Sequence, residues 1–233
     1  MTIILSLTIP VMYMTLFATS FNELVPMVPY DGVAVPFIAF FLPGLLVMTT
    51  LSNTLMTSQS VFNEHLSNLL LDILSTPIQH RAYMTGKIIA GAGLAFIQST
   101  LIFLSGLLIF RIPFDLRMVL VVCLITVPIC LAMSGLYMTV LGLVKSIRAF
   151  VLTTNLLSSV LMFASSIFYP TASIPPGLRF IAHVNPATYA VDSLRAFILF
   201  RKIEPTSLGI IGTMSVFLTL TAVWVFRKRF AEI

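Results

Sequence analysis

Charge-free runs constrain this chain more than any other feature. Residues 1–22, 32–63, 88–110, 118–144, 149–178 and 205–226 contain no Asp, Glu, Lys or Arg. A helix crosses the roughly 30 Å hydrocarbon core of a bilayer in about 20 residues, so each run is long enough to span. Only 9% of the 233 residues are charged, against about 25% in a soluble domain. That excludes a soluble enzyme or a DNA-binding domain. The net charge of +5 is not gathered into a basic stripe, so nucleic acid is not an expected partner. Membrane β-strands need alternating polarity, and Leu101-Ile102-Phe103-Leu104 has none.

The expected fold class is therefore all-α: a polytopic membrane protein, one transmembrane domain over residues 1–233, with the lipid bilayer as its solvent. The spans are placed near 2–20, 37–58, 88–109, 118–143, 149–168 and 207–226. No Lys or Arg precedes the first apolar run, so it reads as a retained span rather than a cleaved signal. Six spans put both termini on one side. Arg227-Lys228-Arg229 follows the last span, which by the positive-inside rule makes that side cytoplasmic. Arg81, Lys87, Lys145 and Arg148 then lie inside as well. Arg111, Arg117, Arg179, Arg195, Arg201 and Lys202 lie outside, partly offset by Glu23, Asp31, Asp115, Asp192 and Glu204. The expected location is thus the cell membrane, multi-pass.

Several chemistries have no residues to carry them. Gly86-Lys87 has Arg81 and Ile88 where a phosphate-cradling loop needs Gly and Ser or Thr. No cofactor is expected on this chain. His65, His80 and His183 fall at span edges or in loops and suggest no metal site. Cys123 and Cys130 share one apolar run two helical turns apart, which does not suit a disulfide. The span interiors hold no ionisable residue, only polar ones such as Asn53, Gln59, Gln98 and Asn155. That argues against a proton relay.

Between spans two and three, Leu66, Leu69, Leu70, Ile73 and Leu74 recur on one helical face. Glu64, Ser67, Asn68, Asp72 and Ser75 occupy most of the rest. Asn63 is a candidate N-cap, and Thr76-Pro77 ends the helix. Such a helix can lie on the lipid interface or dock in a groove of a soluble partner. Glu64 and Asp72 suit an anionic lipid surface poorly.

The stretch 170–200 reads as an outer hairpin. Pro170, Pro175 and Pro176 stop the fifth helix. Asn185-Pro186 is a helix start, with Asn as cap and Pro at the first helical position. Two short helices are expected, about 177–183 and 187–199, dipping toward the outer leaflet. Asp192 and Arg195, three apart, share a face and can pair.

These residues resemble the membrane subunit of type-2 ATP-binding-cassette exporters, the six-helix prokaryotic permeases. One matching stretch is Glu64, Leu69-Leu70, Ile73-Leu74 and Thr76-Pro77-Ile78, followed by Gly86-Lys87. The second is Phe168-Tyr169-Pro170, Ile174-Pro175-Pro176, Leu178, Asn185-Pro186, Thr188-Tyr189, Val191-Asp192 and Arg195. Phe41-Leu42-Pro43-Gly44 also fits. The likeness covers about residues 37–226.

The resemblance implies that the 64–75 helix couples to a separate cytoplasmic ATPase subunit, which carries ATP and Mg. It makes the 170–200 hairpin, with Tyr169, Asn185, Tyr189, Asp192 and Arg195, an outer gate. It also implies a second permease copy, most simply a homodimer, with spans two and five lining the path. Thr49, Asn53 and Thr57 stand at i, i+4 and i+8 on span two; Asn155, Ser158 and Ser159 stand on span five. Each of these can equally be helix–helix glue. Family members open with a basic amphipathic helix, whereas here Met1-Thr2-Ile3 already lies in the apolar run. That element is either truncated or missing. The expected function is an ATP-driven exporter of an amphipathic drug, lipid or glycan; the alternative is an ATP-independent channel or secondary transporter.

Overall fold

The computed structural model describes residues 10–66, 80–170 and 176–230. Residues 10–24 are helical, with a π-type turn at Tyr13–Phe17 followed by α1, Ala18–Leu24. A two-stranded hairpin comes next, β1 (Met27–Tyr30) and β2 (Val33–Pro36). The long helices are α2 (Phe37–Leu66), α3 (His80–Ile109), α4 (Leu116–Leu143) and α5 (Ile147–Phe163). Two short helices, α6 (Pro176–Val184) and α7 (Pro186–Phe200), precede α8 (Pro205–Phe230).

Among the described residues, α2, α3, α4 and α8 are long and apolar enough to cross a bilayer, and α5 is a shorter apolar helix. Leu94, Ile97 and Leu101 on α3, Leu120 and Leu124 on α4, and Phe217, Leu220 and Trp224 on α8 are exposed. Apolar side chains turned outward on several helices form a surface that water does not favour and lipid does. The chain is a mostly helical, multi-pass membrane protein.

Several boundaries depart from the sequence expectation. The helix expected to end near 58 runs on to Leu66, straight through Asn63. Asn63 therefore caps nothing, and Glu64 and Leu66 belong to α2 rather than to a new helix. The continuous intrahelical hydrogen bonding outweighs the capping tendency of one residue. The helix expected to reach 168 stops at Phe163, and residues 164–170 follow a non-helical path.

The loop expected over 21–36 contains an antiparallel hairpin in register Tyr30↔Val33 and Val28↔Val35, so the fold is not purely α. Asp31 and Gly32 hold φ of 52° and 76°, the left-handed pair that a two-residue hairpin turn requires.

The long helices pack through missing side chains. A Cβ on Gly135 of α4 would stand 2.8 Å from the Leu218 carbonyl carbon of α8, so the two backbones nearly touch. Thr139 of α4 adds a 3.4 Å contact with Thr221. Close backbone approach through small residues is how membrane helices gain dispersion contact without a hydrophobic drive. On α2, the Ile167 carbonyl oxygen lies 2.6 Å from where a Cβ on Gly44 would be. This is the physical reason for glycine in Phe41-Leu42-Pro43-Gly44.

Candidate functional site: a buried arginine pin and an opposite-end ion pair

At one end of the bundle, the end of α5 and the start of α7 are held together by polar side chains. Asn185 is 4% exposed. Its Oδ1 accepts from Ala187 N–H at 2.9 Å, capping α7 as expected. Its Nδ2 donates to the Leu161 and Ala164 carbonyls, at 3.0 and 3.1 Å. One amide thus satisfies the start of α7 and the end of α5, where orphan groups would otherwise remain. Tyr189 OH donates to the His183 carbonyl at 2.6 Å, and Tyr169 OH donates to the Phe163 carbonyl. Pro170 borders a cleft of about 410 Å³ with Tyr30, Asp31, Phe200, Lys202 and Glu204. Pro176 begins α6; Pro175 lies outside the described residues.

Arg195 is 0% exposed. Its Nη2 donates to the Ser166 carbonyl at 2.8 Å, and its Nε to the Phe40 carbonyl at 3.3 Å. The guanidinium carbon sits 3.8 Å from the Phe40 ring centroid and 5.3 Å from that of Tyr30. Nη1 stands 3.8 Å from Asp192 Oδ1. That oxygen accepts from the Ser166 hydroxyl at 2.8 Å.

The expected pairing of Asp192 with Arg195 is therefore present but long, and each residue has nearer partners. Two backbone carbonyls and two ring faces hold the buried cation, while its Nη1 has no hydrogen-bond partner among the described residues and only the long contact to Asp192. Burial pushes Arg195 down to about 10, against the opposing pull of Tyr30 and Asp192, so it stays charged at neutral pH. Burial also raises the Asp192 carboxyl, with Ser166 and Arg195 opposing.

The opposite end gathers the termini of α2 and α8 and the starts of α3 and α5. Val61, Phe62, Tyr83, Met84, Phe150 and Phe226 form its apolar cluster. Glu64 meets Lys87 Nζ at 2.6 Å and accepts from Tyr83 OH at 2.7 Å. Both Glu64 carboxylate oxygens are thus engaged by α3. Leu66 ends α2. Leu69, Leu70, Asp72, Ile73, Leu74, Thr76 and Pro77 lie outside the described residues.

The interior polar residues divide. Thr49 and Asn53 are buried in the bundle, and the Thr49 and Thr57 hydroxyls donate to the carbonyls of Leu45 and Asn53 on their own helix. Ser158 bonds Tyr137 OH at 2.6 Å, while Asn155 and Ser159 are exposed on α5. A further buried contact, Thr50 to Ser99 at 2.8 Å, links α2 to α3.

The family described as ABC-2 type transporter matches residues 1–199. The chain belongs to that family. Among curated relatives, the inner membrane transport permease YadH of Escherichia coli K12 is 22% identical over 193 residues. The match covers 80% of this chain and 72% of that protein. YadH of Shigella flexneri aligns with the same figures.

The ABC-2 match takes in the hairpin, the Glu64–Lys87 pair and all of the Arg195 surroundings. Tyr30, Phe40, Ser166 and Tyr83 of this ABC-2 chain are given no role by sequence reasoning. Asp31-Gly32 could have flagged the hairpin, and hence Tyr30. No local pattern marks Phe40 as a seat for a cation 155 residues away.

Proposed function

We propose that this chain is the membrane permease of an ATP-driven exporter in the inner membrane, with ATP hydrolysed on a separate cytoplasmic subunit. The observation that carries the reading is the ABC-2 match over residues 1–199, on a bundle whose outer surface is apolar. The relatives named as inner membrane transport permeases support the location. In this reading the helical residues 10–24 belong to the first of six spans and α8 is the last. The basic residues Arg227 and Lys228 face the cytoplasm, together with Lys145 and Arg148. Within the segment 64–75, Asp72 and the leucine stripe dock the ATPase. The α6–α7 unit forms the outer gate as a re-entrant hairpin.

A second copy completes the path. Helix α5 exposes Leu152, Leu156 and Val160 beside Asn155 and Ser159. An apolar face with polar residues along one edge suits a partner helix on one side and a solute path on the other. Amphipathic drugs, lipids or glycan-type molecules fit such a lining better than highly charged solutes.

The test is purification of the chain in mild detergent together with the ATPase encoded nearest to it, followed by reconstitution. Retention of that ATPase, and ATP-dependent movement of an amphipathic dye across proteoliposomes, are the expected results. Dye movement without ATP, and without any retained ATPase, would favour a channel or secondary transporter and sink this reading.

A further inference from the structure

The segment 67–79 connects α2 to α3, and the described residues on either side of it are tied together. Both carboxylate oxygens of Glu64 are engaged by α3: Oε1 by Lys87 Nζ at 2.6 Å and Oε2 by Tyr83 OH at 2.7 Å. Lys87 follows Tyr83 by one turn, and its ammonium stands 5.6 Å from the Tyr83 ring centroid. The side chains of Lys87 and Glu64 are only 31% and 18% exposed. The cluster continues inward. Tyr83 stacks on Phe226 of α8 at 5.8 Å, and Phe62, half a turn before Glu64, stacks on Phe150 of α5 at 4.7 Å. Two aromatic pairs therefore connect the tied ends of α2 and α3 to two other helices.

We propose that Glu64, Lys87 and Tyr83 form a clamp that positions both ends of the ATPase-docking segment and transmits its displacement to α5 and α8. This rests on the docking function proposed above for 64–75. Glu64 is then a positioning residue inside the permease, not a contact to the ATPase. An exposed ion pair contributes little to stability. A carboxylate with both oxygens bonded, one of them by a cation, holds direction as well as distance. Without it the segment's displacement is absorbed by independent motion of the α2 and α3 ends. With it those ends move as one body, and the stacked rings carry the movement onward.

The experiment reads transmission rather than stability. In a chain carrying Cys123→Ala and Cys130→Ala, Lys202→Cys supplies one exposed thiol at the far end of the bundle. The permease–ATPase complex is reconstituted in nanodiscs, where both faces are open to solution, and labelling of that thiol by a maleimide is timed with and without Mg-ATP. With the clamp intact, ATP should change the labelling rate at least about threefold. Glu64→Gln and Lys87→Met should each retain the ATPase and its hydrolysis yet lose most of that change. The charge exchange Glu64→Lys with Lys87→Glu should restore it, and Tyr83→Phe, which removes one hydroxyl only, should show a partial loss.

Full ATP response in Glu64→Gln, or an exchange no better than the single variants, overturns the clamp. So does an intact complex whose labelling ignores ATP, since there is then no movement to transmit. Loss of ATPase binding in Glu64→Gln alone makes Glu64 a partner contact and overturns it as well. Failure of the intact chain to retain any ATPase instead removes the docking function, and the clamp with it.

Discussion

Arg195 grips Phe40 twice: its Nε donates to the Phe40 carbonyl at 3.3 Å, and its guanidinium carbon lies 3.8 Å from the Phe40 ring centroid. The start of α2 is thereby held to α7 by backbone and side chain of one residue. The same cation reaches the Ser166 carbonyl. Arg195→Met should remove the cation that bridges the Ser166 and Phe40 carbonyls and lower stability by about 3–5 kcal/mol, the range for breaking a buried charged network. Arg195→Lys should recover little of this, because an ammonium lacks the planar fork. Thermal unfolding of the detergent-purified variants checks both; wild-type melting of Arg195→Met would refute the pin.

Asn185→Asp separates the two jobs of Asn185. The aspartate keeps an acceptor for Ala187 N–H but loses both donors to Leu161 and Ala164. A carboxylate would then face two carbonyl oxygens. Although Asp is as good an N-cap as Asn, Asn185→Asp should destabilise by roughly 2–4 kcal/mol, since an unsatisfied buried group costs more when charged. Membrane abundance close to wild type would show that capping alone matters here.

The raised carboxyl of Asp192 sets a pH dependence. The folded chain holds this proton to higher pH than the unfolded chain, whose aspartate titrates near about 3.9. This group's contribution to stability therefore falls as pH rises from the unfolded value through the raised folded value. Asp192→Asn keeps an acceptor for the Ser166 hydroxyl and removes the titration. The difference in melting temperature between variant and wild type should shift in the variant's favour across that window; a constant difference would contradict it.

Three alanine substitutions should differ in size, and one of them in sign. A Cβ at Gly135 meets the α8 backbone at 2.8 Å, one at Gly142 meets the Val225 side chain at 2.7 Å, and one at Gly86 meets nothing within 4 Å. Gly135→Ala should cost roughly 1–3 kcal/mol, as overpacking does. Gly142→Ala should cost less, because a side chain yields more readily than backbone. Gly86→Ala should be neutral or stabilising by up to about 1 kcal/mol. The order of melting temperatures tests all three.

Orientation can be read from two exposed lysines at opposite ends of the bundle. In a chain without Cys123 and Cys130, Lys202→Cys should react with an impermeant thiol reagent added to intact cells. Lys145→Cys should react only after the membrane is opened. The reverse pattern would invert the topology inferred from Arg227, Lys228 and Arg229.

Much of the fold is legible in the chain because membrane helices are marked by where charges are absent. Proline and cap mark one boundary just as directly: Asn185-Pro186 starts α7, with the expected cap in place. Legibility fails where local preference competes with longer helical bonding. Asn63 reads as a cap, yet α2 passes through it, and Glu64 then points at Lys87 on another helix. It fails again where a residue's role is set by a distant neighbour. Ser166 reads as part of a span, but the chain leaves the helix after Phe163, and its carbonyl and hydroxyl serve Arg195 and Asp192. Asp31-Gly32 shows a third case, a clear turn signal inside a stretch otherwise read for hydropathy alone.

The separation of 155 residues between Phe40 and Arg195 has a consequence for biogenesis. A ribosome adding about 5–20 residues per second needs roughly 8–30 s to pass from one to the other. The β-hairpin and the helices α2 to α5 are all synthesised before the residue that fastens this end of the bundle exists. Nascent chains shorter than 195 residues carry the aromatic seat without its cation. Closure of that face is thus timed by translation itself, and a quality-control protease meeting the chain early finds that end still open.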